Sequence, residues 1–187
     1  GNELDIALEN EKAFLVVESP NGTRFSRDGI LTIDHEGYLT NMHGDYIMAE
    51  REPTNEIEGE ELIDADGKPR VSMMRVQVDD QQKVLIDEDG RVLVDGEPLF
   101  RICRGQASDR KAFRKEGANK YVQAYGAVTR SIGNVKPGYV EKPNFSLVEE
   151  MVKMIEVSRA YEANSKVVQS HDGLLDKAVN SVGATRR

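Results

Sequence analysis

Three histidines and one cysteine are the chain's candidates for metal or nucleophilic chemistry: His35, His43, His171 and Cys103. No two histidines stand four residues apart, as a helical zinc pair requires, and a single cysteine supplies neither a Cys-based zinc site nor an internal disulfide. Cys103 lies beside Arg101 and Arg104, an arrangement that lowers the pKa of an accessible thiol; the plainer reading is a small half-buried residue at a strand end. Asp64-Ala65-Asp66-Gly67 and Asp87-Glu88-Asp89-Gly90 look like the start of calcium loops. Both lack the third Asp and the closing Glu of an EF-hand. No Gly-rich phosphate loop, nucleophile elbow or Cys/His dyad is visible. The residues therefore predict no enzyme, no cofactor and no metal centre.

The elements that carry these residues fall into two kinds. Residues 1–100 read as short apolar runs broken by turns: Phe14-Leu15-Val16-Val17 before Ser19-Pro20-Asn21-Gly22, and Ile30–Ile33 before Asp34-His35-Glu36-Gly37. The Asp-x-x-Gly spacing recurs at Asp64–Gly67 and Asp87–Gly90. Asp opens such turns by bonding its own backbone and Gly supplies the positive φ that closes a hairpin, so a hairpin-rich β domain is predicted. Residues 118–144 are rich in Gly, Asn and Pro and read as a partly extended connector. Beyond it the period changes: Asn144 or Ser146 can cap a helix that runs to about Val182, with Glu149 and Glu150 in its first turn.

Composition narrows the function. Of 187 residues, 39% are apolar, below the roughly 45–50% usual for globular domains, a figure that also counts Gly, so the core is thin or some surface awaits a partner. The net charge of −8 argues against general binding of a phosphate backbone, and no apolar run reaches the length of a membrane span. Charge is also segregated. Glu50, Glu52, Glu56, Glu58, Glu60, Glu61, Asp64 and Asp66 face only Arg51 in their stretch, while Arg101, Arg104, Arg110, Lys111, Arg114 and Lys115 face only Asp109. Two readings stand: solvated surface segments, or complementary charge between neighbouring subunits.

The helix holds the strongest pattern. Steps of four and three select Leu147, Met151, Met154, Ser158, Tyr161, Ser165, Val168, Asp172, Leu175, Val179 and Val182. Apolar residues sustained every 3.5 positions form a coiled-coil seam, although an apolar stripe also serves ordinary core packing. The polar alternates Ser158, Ser165 and Asp172 weaken the seam, and no second helix is predicted to receive it. The seam residues are Leu147, Met151, Met154, Tyr161, Val168, Leu175 and Val179.

Two segments carry a family resemblance. Gly22-Thr23-Arg24-Phe25-Ser26-Arg27-Asp28-Gly29, continuing through Asp34, Gly37, Leu39-Thr40 and Gly44, resembles the G-x-x-x-[FY]-[ST]-R-x-G…[DN]-x-x-G-x-L motif of bacterial flagellar rod and hook proteins. Val148–Ile155 with Arg159-Ala160-Tyr161-Glu162-Ala163-Asn164-Ser165-Lys166 resembles their C-terminal signature, and Leu4–Leu8 the strand that opens their outer domain. There are departures: Glu9–Phe14 has no Gly where the family has G-x-G-[FY]-F, and Glu141–Ser146 replaces the usual E-x-S-N.

The resemblance implies a mainly β fold with a long C-terminal helix: an outer domain over 1–117, a connector over 118–145 and an axial helix over 146–187. It implies a structural subunit of the basal-body rod, proximal or distal, exported by the flagellar type III route and self-assembling helically to transmit torque. Its partners would be copies of itself, other axial proteins and an N-terminal helix that the chain, beginning at Gly1, lacks; nucleic acid and membrane insertion are not expected. Placement would be extracytoplasmic, periplasmic in a Gram-negative host. Arg27, Asp28, Gly29, Gly37, Arg159, Tyr161, Glu162 and Asn164 carry the motif, the first three as turn-fixing residues. The alternative is a self-contained β-rich binding module whose helix packs on its own sheet.

Overall fold

The computed structural model describes residues 2–79, 81–141 and 147–184. The strands are β1 (Ile6–Leu8), β2 (Ala13–Ser19), β3 (Gly22–Ser26), β4 (Leu31–Ile33), β5 (Leu39–Asn41), β6 (Tyr46–Arg51), β7 (Glu61–Ile63) and β8 (Met74–Arg75). They continue as β9 (Val84–Ile86), β10 (Arg91–Val94), β11 (Glu97–Ile102), β12 (Arg104–Gln106), β13 (Phe113–Gly117), β14 (Lys120–Gln123), β15 (Val128–Arg130) and β16 (Val135–Pro137). A short 3-10 turn (Arg110–Ala112) precedes β13, and a long α-helix, α1 (Leu147–Ala184, 38 residues), ends the described chain. The mainly β class with a long C-terminal helix is what the sequence predicts. The caps expected at Asn144 or Ser146 lie outside the described residues.

Residues 1–141 and 142–187 form two compact units. In the first, the main sheet runs β13-β14-β3-β2-β6-β11-β10-β9, and a two-stranded sheet joins β1 to β16. Every named pairing is antiparallel, the pattern that short hairpin connections permit.

The unbroken apolar run of β2 has a structural cause. Ala13, Leu15 and Val17 enter one core with Ile6, Leu31, Leu39, Ile47 and Ile102. Phe14 and Val16 enter a second with Phe25, Leu62, Ile63, Phe113 and Val128. Successive strand residues point to opposite faces, so a strand between two cores is apolar at every position. The second core is knitted by aromatic rings: Phe14 lies 4.7 Å from Phe113 and 5.2 Å from Tyr121, centroid to centroid, and Phe25 lies 4.8 Å from Phe113. Both cores are built from residues of the β unit.

One turn is used four times. At Asp34, Asn41, Asp64 and Asp87 the side-chain Oδ1 accepts hydrogen bonds from the amides two and four residues on. The amide of the residue three on, always Gly, donates to the opening residue's carbonyl. Those glycines, Gly37, Gly44, Gly67 and Gly90, have φ between +77° and +84°. Three of these turns follow from the Asp-x-x-Gly spacing. The Asn41 turn does the same work with an amide oxygen, which a search for Asp alone passes over.

The predicted connector needs correction. Within 118–145, β14 pairs with β13 and β3, β15 with β12 and β7, and β16 with β1. Its Gly and Asn residues mark tight links between strands: Ala118 and Asn119 have positive φ in the β13–β14 hairpin, and Gly126 has φ +73° before β15.

Gly37 and Gly44 separate two costs that a glycine can avoid. Alanine at Gly44 meets nothing within 4 Å, whereas a Cβ at Gly37 would lie 2.2 Å from the Val78 carbonyl oxygen. Gly44→Ala is expected to lose about 1 kcal/mol, the penalty of a left-handed L-residue. Gly37→Ala should lose at least about 2 kcal/mol more because backbone must move. Urea unfolding of the two variants measures the difference.

Candidate functional site

The seam residues that the structure describes stand open. On α1, Met151, Met154, Tyr161, Val168 and Leu175 are all exposed, Met154 and Tyr161 at 75% each. The side chains of Leu147 and Val179 lie outside the described residues. Val152, Ile155, Val157, Val167 and Leu174 are exposed as well, so apolar surface extends beyond the single stripe that the 3.5-residue spacing selects. Arg159, Glu162 and Asn164 are exposed on the same helix, and Lys153 pairs with Glu150 at 2.8 Å.

The motif residues of the β unit gather elsewhere. Arg27 Nη1 donates to the carbonyls of Asn10 (3.1 Å), Glu11 (2.8 Å) and Ala13 (2.7 Å), and its Nε and Nη2 pair with Glu141. One guanidinium thus collects the outward carbonyls of the Gly-free 9–13 turn, where the amide of Ala13 already donates to Asn10 O. Gly29 leaves room for the opening strand: a Cβ there would sit 1.8 Å from the Ile6 carbonyl oxygen, and the Ile6 amide donates to Gly29 O at 2.9 Å. Asp28 accepts from the Ile30 amide through Oδ1, while its Oδ2 faces His43 Nε2 at 3.6 Å. Arg27, Asp28 and Gly29 therefore lie together at the edge where β1 docks, and Gly37 closes its own turn against Val78.

The segregated charges meet inside the chain, which corrects both readings of them for the residues nearest the core. Arg104 and Arg130 are each only 2% exposed. Arg130 is paired with Glu50, Glu56 and Glu60, Arg104 with Glu56 at 3.3 Å, and Arg101 with Glu52 and Glu56 at 2.5 and 2.7 Å. Arg104 also donates to the Gly133 carbonyl. Glu58 takes hydrogen bonds from Gln106 Nε2 and the Ile132 amide. Burial works against the charge of Arg130, but the carboxylates of Glu50 and Glu60 outweigh it and raise its pKa further above the ordinary value. Local sequence cannot reveal this cluster, because its partners are separated by 45 to 80 positions.

Cys103 sits between β11 and β12 and is fully buried rather than half-buried. Burial, followed by the charge of Glu50, pushes its thiol pKa up. The positive charges of Arg130 and Arg104 pull the other way, but burial outweighs them, so the thiol is not activated. His35 pairs weakly with Glu36 in its turn, His43 with Asp28, and His171 lies on α1. Among the described residues no group of three His, Cys, Asp or Glu is placed to hold a metal ion. Among the described residues, no helix is long and apolar enough to cross a membrane.

Comparison with known proteins places these features in a family. Residues 10–94 match the flagellar hook protein FlgE/F/G D1 domain, and residues 136–181 match the flagellar basal body rod FlgEFG protein C-terminal region. The chain is 24% identical over 190 residues to the flagellar basal-body rod protein FlgF of Rhizobium meliloti, covering 100% of this chain and 70% of the relative. It is 27% identical over 185 residues to FlgF of Caulobacter vibrioides, covering 98% and 67%. It is 25% identical over 192 residues to the flagellar basal-body rod protein FlgG of Bacillus subtilis, covering 96% and 66%. The chain thus spans about two thirds of the length of these relatives.

The buried thiol gives a direct check on the β unit. In the folded chain Cys103 should resist alkylation at pH 8, and react fully once urea unfolds it. Because the folded pKa is raised, the neutral thiol's contribution is complete below the unfolded value of about 8.5 and is lost as pH rises past it. Stability measured from pH 8 to 10 should therefore fall more steeply in the parent chain than in Cys103→Ala.

Proposed function

The chain belongs to the flagellar basal-body rod and hook protein family, and on that premise we propose how it works as a structural subunit of the flagellar basal body. Copies stack head to tail into an open helical assembly, the geometry that a heterologous contact generates, and the stack carries torque from motor to hook. The β unit makes the lateral contacts. The helix belongs to the inner layer, where its seam pairs with a helix from an N-terminal segment of the same protein and with neighbouring axial subunits. The assembly is extracytoplasmic, and periplasmic in a Gram-negative host, so its subunits travel through the flagellar export channel.

The observation that carries this reading is the exposed seam of Met151, Met154, Tyr161, Val168 and Leu175 on a helix of 38 residues. In proteins most of a helix's stability comes from covering its apolar face rather than from intrinsic propensity. Both cores of the β unit are built from residues of 1–141, and none of these seam residues is among their members.

Met154→Asp combined with Tyr161→Asp puts two charges into the middle of the seam. The double variant should abolish flagellar assembly and motility while the β unit keeps its thermal transition. Normal motility in a strain carrying only that variant would overturn the seam assignment.

A further inference from the structure

Between β6 and β7 the chain runs from Glu52 to Glu60 without forming a strand. No residue of this segment belongs to either apolar core, and its one large apolar side chain, Ile57, is 63% exposed. The segment is held by carboxylates instead. Glu52 and Glu56 grip Arg101, Glu56 also reaches Arg104 and Arg130, and Glu60 holds Arg130 beside Glu50 of β6. Its backbone adds a few ties: the Glu52 amide donates to Leu99 O, the Gly59 amide to Arg130 O, the Glu60 amide to Ile57 O within the segment, and the Arg130 amide to Glu60 O, while the Ile132 amide donates to the Glu58 carboxylate.

Beneath it lies a cluster of three guanidinium groups from β11, β12 and β15, with the buried thiol of Cys103 between Arg101 and Arg104. The cluster has donor capacity to spare: Arg104 Nε is buried and has no hydrogen-bond partner. Gly90 allows the Arg104 guanidinium to settle, since a Cβ there would lie 3.3 Å from its central carbon.

We propose that residues 52–60 form a charge-latched strap over a carboxylate-binding site made by Arg101, Arg104 and Arg130, and that this strap opens as a unit while both apolar cores stay closed. A buried guanidinium demands a charged partner, so these ion pairs hold the strap down. No residue of the strap joins an apolar core that would hold it without them. Local opening of this kind draws on segments with few buried apolar contacts. The reading depends only on the β unit and stands apart from the assembly role of the helix.

Native-state hydrogen exchange on the full chain tests it with Glu56→Gln, which keeps the shape of the side chain and removes its charge. Exchange should quicken about ten-fold or more at Gly59, Glu60 and Arg130, as expected for loss of charged hydrogen bonds. The amides of Val16 and Ile102, which lie on the core strands β2 and β11 and donate to Cys103 O and Gly90 O, should be unchanged. Glu60→Gln, at a more exposed position, should give the same pattern with smaller amplitude, and it decides the matter if the Glu56 variant does not fold. Unchanged exchange over 52–60 would overturn the strap. So would acceleration spread evenly over the strap and the core strands, which would make the cluster an inseparable part of the global fold.

Discussion

The β unit is organised around two guanidinium groups that have left water. Arg104 and Arg130 are 2% exposed, and an unpaired charge at that depth is not tolerated, so their carboxylate partners are obligatory. Meeting that demand joins β6, β12, β15 and the segment before β7 into one block. Removing one partner from such a cluster costs about 3–5 kcal/mol, mostly because the other charge stays behind unpaired. Backbone geometry follows the same demand. Gly105, between Arg104 and Gln106, pairs with Arg130, and a Cβ on it would strike Val128 Cγ1 at 2.6 Å. Glycine lets the two strands close while the arginines on either side of the pairing turn toward the acids.

The second constraint is that β2 serves two cores. Because its alternate residues are buried on both faces, 1–141 contains the apolar contacts that a domain needs without borrowing from elsewhere. Of the apolar side chains outside the two cores, many stand exposed on α1. The two units therefore differ in kind: the β unit buries its apolar side chains in two cores, and α1 exposes most of its own.

Legibility in the sequence followed locality. The Asp-x-x-Gly turns could be read because every bond in them closes within four residues, and the helix could be read because its period repeats over ten turns. The Asn41 turn was hidden only by a change from carboxylate to amide. What could not be read was non-local. Acidic and basic stretches near 50–60 and 101–104 look like surface charge, and only the fold shows them spent on one another. Gly, Pro and Asn between 118 and 137 look like a connector, yet three strands form there, because a strand's partner supplies the ladder that composition does not announce. Cys103 beside two arginines looks activated, until those arginines prove to be engaged and the thiol buried.

The motif Arg27-Asp28-Gly29 becomes intelligible on the same terms. Arg27 holds the carbonyls of the 9–13 turn and the carboxylate of Glu141, near opposite ends of the unit's sequence. Gly29 opens the space in which the Ile6 carbonyl sits, and β1 then pairs with β16, Ile6 opposite Pro137. The Gly138 amide completes the join at Asp5 O, 2.7 Å away. Each contact brings the first and last segments of the β unit to one two-stranded edge. Arg27 supplies the side chain, and Gly29 the space, that hold the two ends of the β unit side by side.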